Sequence, residues 1–164
     1  MPKHDGPDYL VRYSASSLPG TKAPEGNALR TVRPDGTAGD TLFTVPESVM
    51  HVEREEGRTT VRSIPFARGS FVTMGPAGRV HYAWSDSLGV RTHGPDGTLE
   101  RTIDLPFEPV PVTEADREQA LANYSKEGRA AVEDEIPTTK PAFEQFLVDD
   151  VGRYWFGRPT SNPD

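Results

Sequence analysis

The sequence predicts an all-β fold of short antiparallel strands, and two recurring patterns carry that prediction. A glycine, an arginine and an aromatic-rich strand occur together at 78–84 and return at 152–156. A Pro-Asp-Gly turn follows a strand at 34–36 and again at 95–97; there proline presets φ and glycine accepts a positive φ. The 16 prolines and 15 glycines among 164 residues suit many strands joined by tight turns. Recurring strand–turn–strand units are typical of repeat all-β architectures.

The first part of the chain predicts five strands around a loop at 14–27. Aromatic and β-branched residues, or alternation of apolar and polar residues, mark these strands. They lie at 8–13, 28–33, 41–45, 49–54 and 59–64. The last two flank Glu55-Glu56-Gly57-Arg58 and therefore predict a hairpin.

Four further strands follow without a long interruption, at 71–74, 80–84, 88–92 and 99–105. Short turns join them, so we expect one antiparallel meander with the size of a propeller blade.

The strand pattern then gives way to a predicted helix. Thr113 is a suitable N-cap, and acidic residues follow it in the first turn. We expect a helix from Glu114 to about Lys126 that ends at Gly128 in the left-handed conformation. Its thin apolar face, Leu121 and Tyr124, predicts a surface position. An acidic linker is expected at 129–139, and strands return at 141–156.

Charge and composition exclude several classes of function. The net charge is −7; seven acids and three bases between Glu114 and Glu135 supply −4 of it. An acidic chain without a basic stripe argues against nucleic acid and anionic membranes as partners. The chain has no cysteine, which excludes disulfides, thiol nucleophiles and thiolate metal sites. No apolar run approaches a membrane span, and residues 1–6 lack the apolar core of a secretory signal.

Two sets of residues are candidate metal ligands, and calcium is a candidate ion. His51, Glu53 and Glu55 alternate, so on a strand they would share a face, where a histidine and carboxylates can hold a divalent cation. The alternative, which we favour, is a solvated face of mixed charge. Asp149 and Asp150 are paired carboxylates that can bind calcium. We favour hydrogen bonds from one of them to the backbone of the following turn.

His81, Ser85 and Asp86 lie close enough in sequence to suggest a nucleophilic triad. No Gly-x-Ser-x-Gly motif accompanies them, so we favour a structural role in which Asp86 caps the turn at 85–87. His93 is expected in a turn. No catalytic residue is therefore predicted.

The two glycine–arginine units also invite comparison with each other. Trp84 and Trp155 hold equivalent places in them, as do Arg79 and Arg153. We expect all four to pack between neighbouring units.

Several segments occur in a distinctive order along the chain. They are Ile64-Pro65-Phe66, Gly78-Arg79-Val80-His81-Tyr82-Ala83-Trp84-Ser85-Asp86, Pro95-Asp96-Gly97, Glu108-Pro109-Val110-Pro111-Val112-Thr113, Lys140-Pro141-Ala142-Phe143 and Leu147-Val148-Asp149-Asp150-Val151-Gly152-Arg153-Tyr154-Trp155. Together they resemble the C-terminal blades of bacterial six-bladed β-propeller proteins of the NHL-like group, from about 29 to 156.

The resemblance implies a partial propeller of about three blades, since a four-stranded blade takes roughly 40–45 residues. Its blade-like units would span 8–46, 49–105 and 141–157 of a single domain 1–164, with a helical insertion at 113–135. Open strand edges would be covered by self-association or by other blades that complete the ring. The resemblance also implies an exported bacterial protein, periplasmic or extracellular.

Three functions remain open on this basis. The favoured one is a non-catalytic ligand- or protein-binding module. The alternative is part of a metal-dependent propeller hydrolase, lactonase or lyase. The third is a fragment of a longer propeller without independent function.

Overall fold

The computed structural model describes residues 9–14 and 26–159, and within them the all-β prediction is confirmed. Eleven strands pair only with antiparallel neighbours. They are β1 (Tyr9–Ser14), β2 (Asn27–Val32), β3 (Ala38–Val45), β4 (Met50–Glu55), β5 (Arg58–Ser63), β6 (Ser70–Met74), β7 (Val80–Trp84), β8 (Leu88–His93), β9 (Leu99–Leu105), β10 (Gln145–Val148) and β11 (Tyr154–Gly157). The loop predicted at 14–27 lies largely outside the described residues.

The strands form four sheets, and none of them closes on itself within the described ranges. Their orders are β1-β2-β3, β4-β5, β6-β7-β8-β9 and β10-β11. The predicted unit 49–105 thus contains two separate sheets, a hairpin and the four-stranded meander.

Tight turns of the predicted kind close two of these strand pairs. Gly36 and Gly97 adopt φ values of 84° and 85°, a conformation open to glycine and costly for other residues. In each turn the preceding aspartate accepts the N–H of the threonine two residues on, at 2.8 Å for Asp35 and 3.0 Å for Asp96. The pKa of both carboxyls is lowered, primarily by this backbone hydrogen bond.

The four-stranded sheet is the middle layer of the molecule, and both of its faces are apolar near β6 and β7. Its front face carries Val80, Tyr82 and Trp84, which pack with Leu29 and Val45 of the β1–β3 sheet. Leu29 and Val80 are completely buried; a buried side chain of this size stabilises the fold by about 1.5–3 kcal/mol.

The back face of the same sheet packs against the C-terminal hairpin β10–β11. Ala83 lies on this face because successive side chains of β7 alternate, and it packs with the fully buried Phe143. The Phe143 ring meets those of Phe71 and Phe156 at centroid distances of 5.1 and 4.9 Å. The three layers therefore follow chain order: β1–β3, β6–β9, β10–β11.

The helical segment begins as predicted and ends differently. Helix α1 (Glu114–Leu121) starts with a capping box, in which Thr113 accepts the Asp116 N–H while the Asp116 carboxylate accepts the Thr113 N–H. The predicted single helix ending at Gly128 is wrong. Ser125 caps a second helix, α2 (Lys126–Val132), and its Oγ accepts the Gly128 N–H at 3.0 Å. Gly128 therefore lies in a first helical turn.

The linker predicted at 129–139 is also partly wrong, because its first part is helical. A short 3-10 turn at Glu133–Glu135 follows α2. Val132 and Ile136 are buried with Ile64 and Leu121, so this segment covers the base of the β4–β5 hairpin. The half-buried Tyr124 packs on the same cluster and donates its hydroxyl to the Ser63 carbonyl at 2.8 Å.

The two ends of the helical segment are joined to each other. Val112 N–H donates to the Thr138 carbonyl at 2.9 Å, and Lys140 N–H to the Val110 carbonyl at 2.8 Å. The buried Lys140 ammonium also meets Asp116 Oδ1 at 2.7 Å. No helix among the described residues has the length and apolar character needed to cross a membrane.

Candidate ligand-binding cleft

Two open clefts flank the four-stranded sheet, one on each face. The layers on either side pack mainly over β6 and β7, while most of β9 is exposed. The cleft on the front face, here the aromatic cleft, has a volume of 380 Å³. Its most informative lining residues are Phe43, Tyr82, Trp84, Arg91, His93 and Asp104.

Strand pairing places the polar residues of the aromatic cleft beside its rings. Tyr82 on β7 is the direct cross-strand partner of Arg91 on β8, so both side chains rise from the front face. Gly89 pairs in the same way with Asp104 on β9. A Cβ at Gly89 would lie 2.8 Å from Asp104 Oδ1, so the glycine leaves the space that this carboxylate occupies.

The β1–β3 sheet supplies the opposite wall of the aromatic cleft. The Phe43 ring stacks on the His93 imidazole at a centroid distance of 3.8 Å and an interplanar angle of 12°. His93 Nδ1 lies 2.9 Å from the Gly97 carbonyl; a carbonyl only accepts, so Nδ1 donates. His93 is the last residue of β8 and not a turn residue as predicted, but its side chain binds a carbonyl of the turn, and this bond fixes the ring against Phe43.

The charges of the aromatic cleft are available to a ligand. Neither Arg91 nor Asp104 belongs to an ion pair within 9–14 and 26–159. Burial raises the pKa of the Tyr82 phenol, so this group adds no charge to the cleft at neutral pH. The cleft therefore combines aromatic rings with guanidinium donors and carboxylate acceptors, a composition suited to holding a small polar molecule.

The cleft on the back face, here the histidine cleft, has a volume of 450 Å³ between the sheet and the β10–β11 turn. His81 lines it and is 4% exposed. Its Nδ1 lies 3.0 Å from Thr92 Oγ1 and 3.2 Å from the Tyr154 hydroxyl. Its Nε2 is buried without a hydrogen-bond partner among the described residues.

The suggested triad of His81, Ser85 and Asp86 is not assembled. Ser85 Oγ accepts the Gly69 N–H at 2.8 Å, and Asp86 Oδ1 accepts from Arg68 Nε at 2.8 Å. The structural role favoured for these residues holds for Ser85, but Asp86 as the cap of its own turn is wrong. Its carboxylate faces the arginine of a neighbouring loop instead.

The candidate metal ligands of the β4–β5 hairpin are bound to other side chains. His51 Nδ1 lies 2.7 Å from Glu135 Oε1, and Glu53 Oε2 accepts from Arg62 Nη1 at 2.8 Å. The hydrogen bond from Arg62 lowers the pKa of Glu53. His51 and Glu53 are thus engaged on a strand face of mixed charge.

The paired acids of the C-terminal hairpin differ sharply from each other. Asp149 Oδ1 accepts the N–H groups of Val151 and Arg153 at 3.1 and 2.8 Å, which confirms the predicted turn role. The Arg153 N–H is the largest cause of the lowered pKa of Asp149. Asp150 is exposed and lines the histidine cleft. Across the described ranges, no three His, Asp or Glu side chains are grouped to hold a metal ion.

The expected packing roles of the two glycine–arginine units hold for Trp84 alone. Trp155 is 52% exposed and donates its Nε1–H to Asp149 Oδ2 at 3.1 Å. Alternation along β11 explains this, because Tyr154 and Phe156 face the sheet and Trp155 faces away. Arg79 pairs with Glu100 at 2.7 Å, and Arg153 with Asp149 at 2.6 Å, so each arginine binds within its own sheet.

Sequence reasoning missed most of the aromatic cleft. The alternation of Tyr82 and Trp84 on one strand could have indicated a shared face. No local pattern links them to Phe43, which the packing of a different sheet brings to the site.

The comparisons with known proteins give no relative for the chain. A scan against protein-family models finds no match, and searches of curated proteins and of solved structures find none either.

Proposed function

We propose that the chain is a propeller-type binding module of the NHL-like group, and that its three stacked layers are consecutive blades. The support is the layer order. The β1–β3 sheet, the β6–β9 sheet and the β10–β11 hairpin stack in the order of the chain, as neighbouring units of a repeat architecture do. The segments that resemble such propellers include β7, β10 and β11.

The aromatic cleft is the proposed ligand site, and a saccharide is the proposed ligand. The observation that carries this is the placement of Arg91 and Asp104 on the same cleft as Tyr82 and Trp84, the first buried and the second half-buried. A pyranose has C–H groups that pack on aromatic rings. Its hydroxyls both donate and accept, so they can bind a guanidinium and a carboxylate together.

The rings and the two charged groups of the aromatic cleft are suited to binding a saccharide without converting it. The rings provide contact area, and the two charged groups fix the orientation of the ligand. A hydrogen bond to a charged group contributes about 1.5–3 kcal/mol, so two of them suffice for weak but specific recognition.

The two tryptophans allow a direct test. Trp84 lines the aromatic cleft, and Trp155 lies on the far side of the C-terminal hairpin. The variant Trp155→Phe leaves Trp84 as the only tryptophan. Monosaccharides and short oligosaccharides of varied stereochemistry are titrated into this variant while Trp84 emission is followed, with saturation-transfer NMR as a second readout. We expect at least one sugar to give a saturable change.

Charge-removing variants then locate the site. Arg91→Ala and Asp104→Asn should each weaken binding by about tenfold, the equivalent of roughly 1.4 kcal/mol. Arg54→Ala and Glu56→Gln change exposed charges of the same types on the β4–β5 hairpin and should leave the affinity unchanged. A panel without any saturable response, or equal losses in cleft and control variants, would refute the saccharide site.

A further inference from the structure

The β4–β5 hairpin has its polar face toward the rest of the protein and its more apolar face toward solvent, the reverse of an ordinary amphipathic hairpin. Its strands pair in full register from Met50–Ser63 to Glu55–Arg58, so alternate residues occupy two faces. The inner face, toward the helices, carries the polar set His51, Glu53, Glu55, Arg58, Thr60 and Arg62. The outer face carries Met50, Val52, Arg54, Thr59, Val61 and Ser63.

The helical segment covers the polar inner face. His51 meets Glu135 at 2.7 Å, and Arg62 Nε lies 3.9 Å from the position of a Cβ on Gly128 of α2. His51, Thr60 and Arg62 are half-buried as a result. The helices thus partly cover a polar face that would be solvated in most antiparallel sheets, while Glu53, Glu55 and Arg58 on the same face stay exposed.

The outer face is exposed throughout, although its centre is apolar. Val52 and Val61 are direct cross-strand partners and are 47% and 52% exposed, with Met50 beside them at 45%. Val49, next along the chain, is exposed as well. A contiguous apolar patch on a sheet is typical of an interaction surface.

We propose that the outer face is a docking surface for a second copy of this chain, in a face-to-face, two-fold dimer. Arg54 is the only ionised side chain on the face. The strand acids Glu53 and Glu55 lie on the inner face and Glu56 lies in the turn, so no acid occupies the outer face of either copy, although the chain has a net charge of −7. The surface is therefore neutral to basic on a molecule that is acidic as a whole.

The cross-strand pairs of the outer face are complementary to those of a second copy about one particular two-fold axis. A two-fold axis that crosses both strands at the Val52–Val61 row places each valine over its own copy. Met50 then lies over the aliphatic stem of the second copy's Arg54. The two Arg54 side chains are separated by four residues of strand, about 13 Å, which exceeds the screening length of roughly 10 Å at moderate salt.

The other face-to-face arrangement is disfavoured by charge. An axis parallel to the strands would bring the two Arg54 residues to about the spacing of neighbouring strands, roughly 5 Å. The geometry therefore favours the crossing axis and a closed dimer with isologous contacts.

Sedimentation equilibrium of the full chain tests this proposal. We expect a reversible monomer–dimer equilibrium that Val61→Lys weakens by about tenfold or more, because the lysine charge would be buried against the second copy. The matched control is Val151→Lys on the C-terminal hairpin, where the valine is 68% exposed; it should leave the equilibrium unchanged. Thermal unfolding of both variants at low concentration should match the parent, because both sites are exposed in the monomer.

Cross-linking tests which face forms the contact. The chain has no cysteine, so Val52→Cys introduces a single thiol that should join two chains through a short bismaleimide, while Val151→Cys should not. The proposal is overturned by a parent chain that stays monomeric at the highest attainable concentration, by larger open assemblies, or by a dimer that Val61→Lys leaves intact.

Discussion

The imidazole of His81 and the phenol of Tyr154 link the middle sheet to the C-terminal hairpin. His81 Nδ1 and the Tyr154 hydroxyl are 3.2 Å apart, and their rings meet edge to face at 5.4 Å. Thr92 Oγ1 lies 2.9 Å from the same hydroxyl. The hairpin is thus held by a polar cluster as well as by the phenylalanines around Phe143.

Removing the phenolic hydroxyl should loosen this link. Tyr154→Phe loses its hydrogen bonds to Thr92 and His81, while those two residues keep the bond between them. We expect a loss of about 1 kcal/mol in the free energy of unfolding, measured by urea denaturation. Tyr9→Phe removes a hydroxyl from an exposed tyrosine and should cost much less; equal losses would contradict the role of the cluster.

The stability of the protein should depend on pH through His81. Burial, with Arg79 as a second cause, holds the pKa of His81 below its ordinary value of 6.5, while Glu100 opposes the shift. The unfolded chain therefore binds a proton near pH 6.5 that the folded chain binds only at lower pH. Stability should fall as the pH drops through 6.5 and level off below the folded pKa.

Two measurements check the pH prediction. NMR titration of the His81 imidazole resonances should show a pKa below 6.5. His81→Asn should flatten the fall in unfolding midpoint between pH 7 and 5. An unchanged slope in that variant would assign the effect to another group.

Asp149 and Asp150 should behave very differently although they are neighbours. Asp149→Ala leaves the N–H groups of Val151 and Arg153 without their acceptor and should lower the melting temperature by several degrees. Asp150→Ala, the matched control, changes an exposed carboxylate that makes no described hydrogen bond and should have little effect. Differential scanning calorimetry of both variants decides the point.

Gly75 should be intolerant of any side chain. A Cβ there would collide with the His81 ring, with Cδ2 only 2.7 Å away. Gly75→Ala should therefore cost about 1–3 kcal/mol through overpacking. Gly69→Ala is the control, since its Cβ would find ordinary contacts at 3.5 Å; similar midpoints in urea for the two variants would refute the close approach.

Local features were predictable from the sequence because their causes lie within a few residues. The Pro-Asp-Gly turns need only an aspartate, a glycine and a nearby N–H. The cap at Thr113 needs only Asp116 three residues on, and the strands of the meander show their own alternation.

Features that depend on distant segments were not predictable in this way. The second helix begins because Ser125 can cap it, and it persists because Val132 reaches Ile64 across the chain. Trp155 faces outward because β11 is oriented by the phenylalanine cluster. The aromatic cleft joins Phe43 to Trp84 across two sheets, a juxtaposition that no sequence spacing encodes.

The joined ends of the helical segment make it a separable module. Residues 110–112 and 138–140 already pair with each other, so the chain leaves the β-rich body and returns to it at one point. The pairing of 110–112 with 138–140 therefore offsets the entropy cost of closing this loop. That cost changes only slowly with the number of residues between the paired ends. Lengthening, shortening or exchanging the helices alters what covers the β4–β5 hairpin while β10 and β11 keep their place, which offers a route by which new surfaces can be grafted onto this scaffold.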